Sequence, residues 1–250
     1  MEFPPLLEGR LLRRHKRFFA DVELCSGERV TAHCANTGRM TGVCEPGMRV
    51  WLQPNDNPRR RLRYSWVLVE PAPGELACVD TGRANALVAE AITAGRIAAL
   101  AGYAELRREV RYGVEGSRID LLLEGDTSGA GRADCYVEVK NVTLHLGDAR
   151  GGGERSGDGA FPDAVSARGS KHLRELMHAV AAGQRSLLCF HVAHSGIRSV
   201  RAAGEIDPHY ATTLREALDN GVEVLAIGPL QASPQRWLCG AELPFNPPSD

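Results

Sequence analysis

Two hydrophobic rhythms divide this chain. Up to about residue 80, short apolar-rich runs recur with the period of strands: Leu6 to Leu12, Arg17 to Leu24, Arg29 to His33, Met48 to Leu52 and Tyr64 to Val69. Turn signals separate them, at Ser26-Gly27, Asn36-Thr-Gly38, Pro46-Gly47 and Pro54-Asn-Asp-Asn-Pro58. Five short strands in so short a stretch predict a small barrel, with an OB-fold the economical choice. Pro71-Ala-Pro-Gly74 reads as a linker or crossover, after which the rhythm changes.

From Ala84 to Leu100 the apolar positions follow a helix, with Leu87, Ala91, Ala94 and Ile97 or Ala98 on one stripe. Ile119 to Leu123 and Tyr136 to Val139 read as strands, joined through a loop rich in Gly, Asp and Ser. Ser166 or Ser170 can cap a helix running to about Ala182, stopped by Gly183 and striped by Leu173, Leu176, Met177 and Val180. Ser186 to Val192 is apolar throughout, a strand buried on both faces. A helix from about Tyr210 to Asp219 and a last parallel strand, Val222 to Ile227, complete the series. Strand and helix alternate, so the class is α/β with a central mixed sheet. The domains expected are 1–80, a barrel, and 81–250, the α/β unit. A glycine-rich insertion near 148–160 cannot recover its ordering cost by burial and should be mobile.

The formal net charge is −1, which argues against bulk attraction to nucleic acid and leaves any attraction to local clusters. Seven scattered cysteines, none in a C-x-x-C pair, predict reduced thiols and a cytoplasmic protein. No run approaches the eighteen or so apolar residues of a membrane span, so no membrane partner is expected. His33, Cys34 and Cys44 match no zinc spacing. The loop from His33 to Gly42 reads equally as an anion cradle and as a turn between strands.

The chemistry concentrates between Asp120 and Lys140. Side chains alternate along a strand, so Glu138 and Lys140 share a face, and antiparallel pairing can set Asp120 beside them. Two carboxylates and an ammonium on one surface are the set needed for hydrolysis of a phosphodiester with magnesium or manganese. The competing reading is a cross-strand ion pair and an aspartate that ends a strand. Two basic clusters sit beside aromatics: Arg13, Arg14, Lys16 and Arg17 precede Phe18 and Phe19, and Arg59, Arg60, Arg61 and Arg63 precede Tyr64 and Trp66. Cations interleaved with rings suit phosphate pairing and base stacking, against the alternative of a solvated edge with its rings in the core.

Asp120 followed by Glu138-Val-Lys140 resembles the core of the PD-(D/E)XK restriction-endonuclease-like nuclease superfamily. A longer set is more specific: Tyr112-Gly113, Ser117-Arg-Ile-Asp120, Cys135-Tyr-Val-Glu-Val-Lys140, Phe161-Pro-Asp-Ala-Val165 and Arg168-Gly-Ser-Lys-His-Leu-Arg-Glu-Leu176. Together these resemble the sugar fermentation stimulation protein family, SfsA, over nearly the whole chain and more weakly after about Ile227. The resemblance implies an OB-fold domain and a nuclease-like domain. It implies Asp120, Glu138 and Lys140 as the catalytic set, with Asp120, Glu138, the Val139 carbonyl and a first-helix glutamate, here Glu90, around magnesium or manganese. It further implies that Asp163, Arg168, Lys171 and His172 border the cleft and meet nucleic acid. Arg118 and, from the barrel clusters, Arg17, Arg59, Arg60, Arg61 and Arg63 are the further nucleic-acid contacts expected. The expected function is DNA binding without strong sequence preference, with metal-dependent hydrolysis; RNA as substrate and a homodimer stay open. The alternative implied by the family name is a non-catalytic DNA-binding regulator of sugar (maltose) metabolism. A small-anion hydrolase is a weaker third reading.

Overall fold

The structure, a computed structural model, describes residues 1–148 and 157–248. Most of the segment expected to be mobile therefore lies outside the described residues.

The N-terminal region forms a barrel from β1 (Leu7–His15), β2 (Phe19–Leu24), β3 (Arg29–His33), β4 (Arg49–Pro54) and β5 (Tyr64–Ala72). Neighbours pair antiparallel in the order β3-β2-β1-β4-β5, and a parallel β3–β5 contact, Ala32 with Tyr64 and His33 with Ser65, closes the ring. β2 alternates half-buried and buried positions, with Ala20, Val22 and Leu24 inward among Leu11, Val50, Leu52 and Trp66. That alternation is why these sequences settle as a closed sheet with one apolar lumen. Pro71 to Gly74 is not a linker. β5 runs through Ala72, turns at Gly74 and returns as β6 (Glu75–Cys78).

The second region is built on a mixed sheet ordered β15-β14-β12-β9-β8-β7. Its strands are β7 (Tyr103–Tyr112), β8 (Ser117–Asp126), β9 (Cys135–Val142), β12 (Arg185–Val192), β14 (Glu223–Ala232) and β15 (Trp237–Leu243). β9, β12 and β14 run parallel, and the outer pairs are antiparallel. The sequence did not announce β7 or β15. Nor did it announce a smaller sheet of β10 (Leu144–His145), β11 (Asp158–Phe161), β13 (Ser199–Ala202) and β16 (Phe245–Asn246). β11 shows that the end of the expected insertion is ordered chain.

Helix α1 (Ala84–Thr93) covers one face of the large sheet; α2 (Ala167–Ala181) and α3 (Pro208–Asp219) cover the other. α1 stops earlier than its apolar stripe suggests, at Ala94-Gly95, and Ala98–Leu100 is a short 3-10 turn. Ser166 caps α2, accepting from the Gly169 N–H, and Asp207 caps α3, accepting from the Tyr210 N–H. The architecture is an OB barrel followed by an α/β domain with a mixed sheet. The two regions share one core: Trp51, Val67, Leu68 and Leu76 of the barrel are buried with Leu87 and Val88 of α1 and Val137 and Val139 of β9. All seven cysteines are free thiols. Among the described residues, no helix is long and apolar enough to cross a membrane.

Candidate active site

β8 and β9 zip together through Leu123–Cys135, Leu122–Tyr136 and Leu121–Val137, and then the ladder stops. The next residues that would face each other are Asp120 and Glu138. The β7–β8 ladder also skips Asp120 and its neighbour Glu109, which adopts a left-handed φ of 55°. Asp120 fills the break itself: its Oδ2 accepts from the Val139 N–H at 2.7 Å. Its Oδ1 accepts from Asn85 Nδ2 at 2.8 Å, and the same amide donates to Glu109 Oε1 at 3.1 Å. A side chain has thus replaced the carbonyl that would have continued the sheet.

Glu138 points to the α2 side and its side chain is only 2% exposed. Its Oε1 accepts from Lys140 Nζ at 2.7 Å and from His172 Nδ1, one helical turn into α2. Arg168 Nε donates to His172 Nε2 at 3.2 Å, which places the imidazole proton on Nδ1 and aims it at Glu138. Two donors therefore converge on one carboxylate oxygen. The other, Oε2, is buried and has no hydrogen-bond partner among the described residues.

Electrostatics separates the two acids. Burial, and then the charge of Glu138, push the Asp120 carboxyl up to about 6 from its ordinary 3.8. Burial also acts to raise Glu138, but the Lys140 ammonium and His172 outweigh it and hold its pKa below the usual range. The pair is one firmly ionised carboxylate and one that resists ionising. This is the signature of a pocket short of positive charge.

The site residues expected from sequence distribute unevenly. Asp120, Glu138, Lys140, His172 and Arg168 come together as described. Glu90 does not join them: five residues from Asn85 on α1, it faces away and is bound by the Met1 ammonium at 2.7 Å and Arg96 at 3.0 Å. Asn85 is the α1 residue that reaches the site instead. Lys171 Nζ donates to the Glu115 carbonyl at 2.7 Å and so pins the β7–β8 turn. Asp163 accepts from the Met40 N–H at 3.1 Å, packed so closely on Gly38 that a Cβ there would lie 2.5 Å from its oxygen. Asp163 therefore clasps the barrel loop that the sequence left open between anion cradle and turn. Arg118 is exposed on β8, two residues from Asp120. Arg17 lines a cleft of about 930 Å³ between the barrel and the start of α2. Arg59, Arg60, Arg61 and Arg63 are exposed on the β4–β5 connection and have no ion-pair partner among the described residues.

Sequence reasoning missed Glu175. It is 0% exposed and accepts from the Val114 and Glu115 N–H groups at 3.0 and 2.8 Å. The signal was available in its neighbours, since Leu173 and Leu176 flank it in the buried stripe. No group of three or more His, Cys, Asp and Glu side chains disposed around a metal occurs among the described residues.

Residues 12–79 match the family profile described as "SfsA N-terminal OB domain", and residues 82–234 match "Sugar fermentation stimulation protein RE domain". A sugar fermentation stimulation protein homolog from Aeromonas salmonicida is 54% identical over 90% of this chain and 88% of its own length. One from Maricaulis maris is also 54% identical, covering 90% of this chain and 91% of its own. The solved structure of Pyrococcus furiosus SfsA, described as in complex with Ca2+, superposes with a TM-score of 0.84 at 28% identity, covering 98% of both chains.

Proposed function

This chain belongs to the sugar fermentation stimulation protein family, and from that premise we propose that it binds nucleic acid without reading sequence and hydrolyses the phosphodiester backbone with magnesium or manganese. The observation that carries the reading is the orphaned Glu138 Oε2 beside Asp120. A buried carboxylate oxygen without a donor costs about 1–3 kcal/mol or more, and chains retain such a cost where a ligand relieves it. That donor set fits a hard cation that takes few protein oxygens and keeps its waters. Asp120, Glu138 and the Val139 carbonyl would hold it. When bound, the ion lowers the pKa of a water and neutralises phosphate charge.

The chain's own residues supply the rest. Lys140 is held by Glu138, 11% exposed, where its ammonium can orient a water or meet the developing phosphate charge. His172, locked by Arg168, keeps Glu138 Oε1 occupied and so presents Oε2. Arg118 and Arg168 stand at the exposed margin, where phosphates would approach. That Pyrococcus furiosus SfsA is described with Ca2+ supports a divalent ion on this fold.

A second reading is nucleic-acid binding without catalysis in a protein tied to sugar metabolism, which the name its relatives carry supports. Single- and double-stranded DNA and RNA, incubated with magnesium, manganese or EDTA, separate the two. Cleavage should require the metal and vanish in Lys140→Ala, while binding in EDTA stays unchanged. Metal-dependent cleavage surviving in Lys140→Ala would refute the catalytic assignment; no cleavage by the wild type would leave the binding-only reading.

A further inference from the structure

The turn between β1 and β2 is built against its own backbone preferences. Lys16 and Arg17 both adopt left-handed φ, 49° and 64°. Side chains cost about 1–2 kcal/mol per residue there relative to glycine. The next residue, Phe18, is 48% exposed, a large ring left in water at the tip of a hairpin. The left-handed pair suits the tight turn that joins two twisted strands, but the exposed ring does nothing for the barrel, whose lumen is closed by Leu11, Leu52 and Trp66.

The surroundings are cationic on both sides. Arg17 lines the cleft that opens toward α2, together with the exposed Arg39. The acids lining that cleft are engaged elsewhere, Asp163 by the Met40 N–H and Glu205 by Arg201. On the other side, β2 and β3 pair Phe19 with His33, and β3 pairs His33 with Ser65 at the start of β5. This register brings the β4–β5 connection to the same end of the barrel, where Arg60 and Arg61 border a pocket with His33. The two basic clusters, separate in sequence, flank one exposed ring.

A solubilising edge needs charge but not a bare phenyl. Duplex bases are already stacked and present only their edges, so a flat ring among phosphate-binding cations matches an unpaired base. We infer that this end of the barrel selects single-stranded nucleic acid, with Phe18 stacking on a base while Arg17 and Arg39 carry the adjoining backbone into the cleft that leads to α2. The inference rests on the nucleic-acid reading above and names its substrate class.

The test uses the full chain in EDTA, with a fluorescent oligothymidine and a blunt duplex of equal length, followed by anisotropy across a salt series. The wild type should prefer the single strand. Phe18→Ala should weaken single-strand binding by about 5- to 150-fold, the range expected for one lost stacking contact. It should leave duplex affinity and the salt slope unchanged, and Phe18→Trp should restore the preference. Arg17→Ala should instead flatten the slope by about one. Equal affinity for both substrates, or Phe18→Ala without effect on the single strand, overturns the inference and leaves nucleic-acid binding standing. No binding to either substrate overturns both.

Discussion

Replacing Asp120 with asparagine should make the metal-free protein more stable, the opposite of what removal of a buried, hydrogen-bonded acid usually does. Its carboxyl sits at about 6 in the fold against an ordinary 3.8, raised first by burial and next by the Glu138 charge. The folded state therefore holds this proton more tightly than the unfolded one. Stability from the group is fully present below pH ~4 and is lost as pH rises through about 6. The difference amounts to about 3 kcal/mol at pH ~7.5 and roughly half that at pH ~5. Asparagine keeps one oxygen for the Val139 N–H but presents an amide to Asn85, which offsets about 1 kcal/mol. The net gain is about 1–2 kcal/mol, a rise in melting temperature of roughly 2–8 °C for a chain of this size. Scanning calorimetry or dye-monitored melting in EDTA reads it directly, and the gap between variant and wild type should narrow at the lower pH. Added magnesium or manganese at tenfold over its dissociation constant should raise the wild type by about 1.4 kcal/mol and leave Asp120→Asn unmoved. If Asp120→Asn melts below the wild type in EDTA, or shows the same response to metal, Asp120 is a structural tie and the cation site is wrong.

Two further perturbations probe the frame around the site. Glu175→Ala strips two charge-assisted bonds from the β7–β8 turn and should cost about 2–4 kcal/mol in urea unfolding. Gly113→Ala forces a Cβ at φ 75° into the Glu175 carboxylate and should cost at least about 2 kcal/mol. A loss under about 0.5 kcal/mol in both would show that the clasp carries no weight. His191, buried in β12, has its pKa pushed down to about 4 by desolvation. The unfolded chain binds that proton first as pH falls, so about 3 kcal/mol of stability should drain away between pH ~6.5 and ~4. His191→Asn should flatten that part of the profile; an unchanged acid limb would remove His191 from the account.

Periodicity was a good guide where burial on one face dictated residue type. The barrel strands, α2 with its Ser166 cap, and the Arg185–Val192 strand all carry their pattern openly. It failed where geometry depends on contacts distant in sequence. β7 hides its period because it is an edge strand with no buried position, only half-buried and exposed ones. The strands of the small sheet are two to four residues long, too short to show a period at all. At the site, Glu138 and Lys140 could be placed together from strand alternation alone. Asn85 could not, because its role follows from where α1 docks rather than from its neighbours in sequence. Glu90 misled for the same reason: helical spacing gives a face, not what that face meets.

The core shared by barrel and sheet also fixes a length. Because Trp51 and Leu68 are packed into the same apolar body as Val137 and Val139, the barrel cannot swing on a tether. If the Phe18 end grips nucleic acid and Asp120 and Glu138 act on it, the two lie an unvarying span apart, as on a ruler. A polymer held at one mark and opened at the other would give fragments of uniform offset from the grip, whatever its base order.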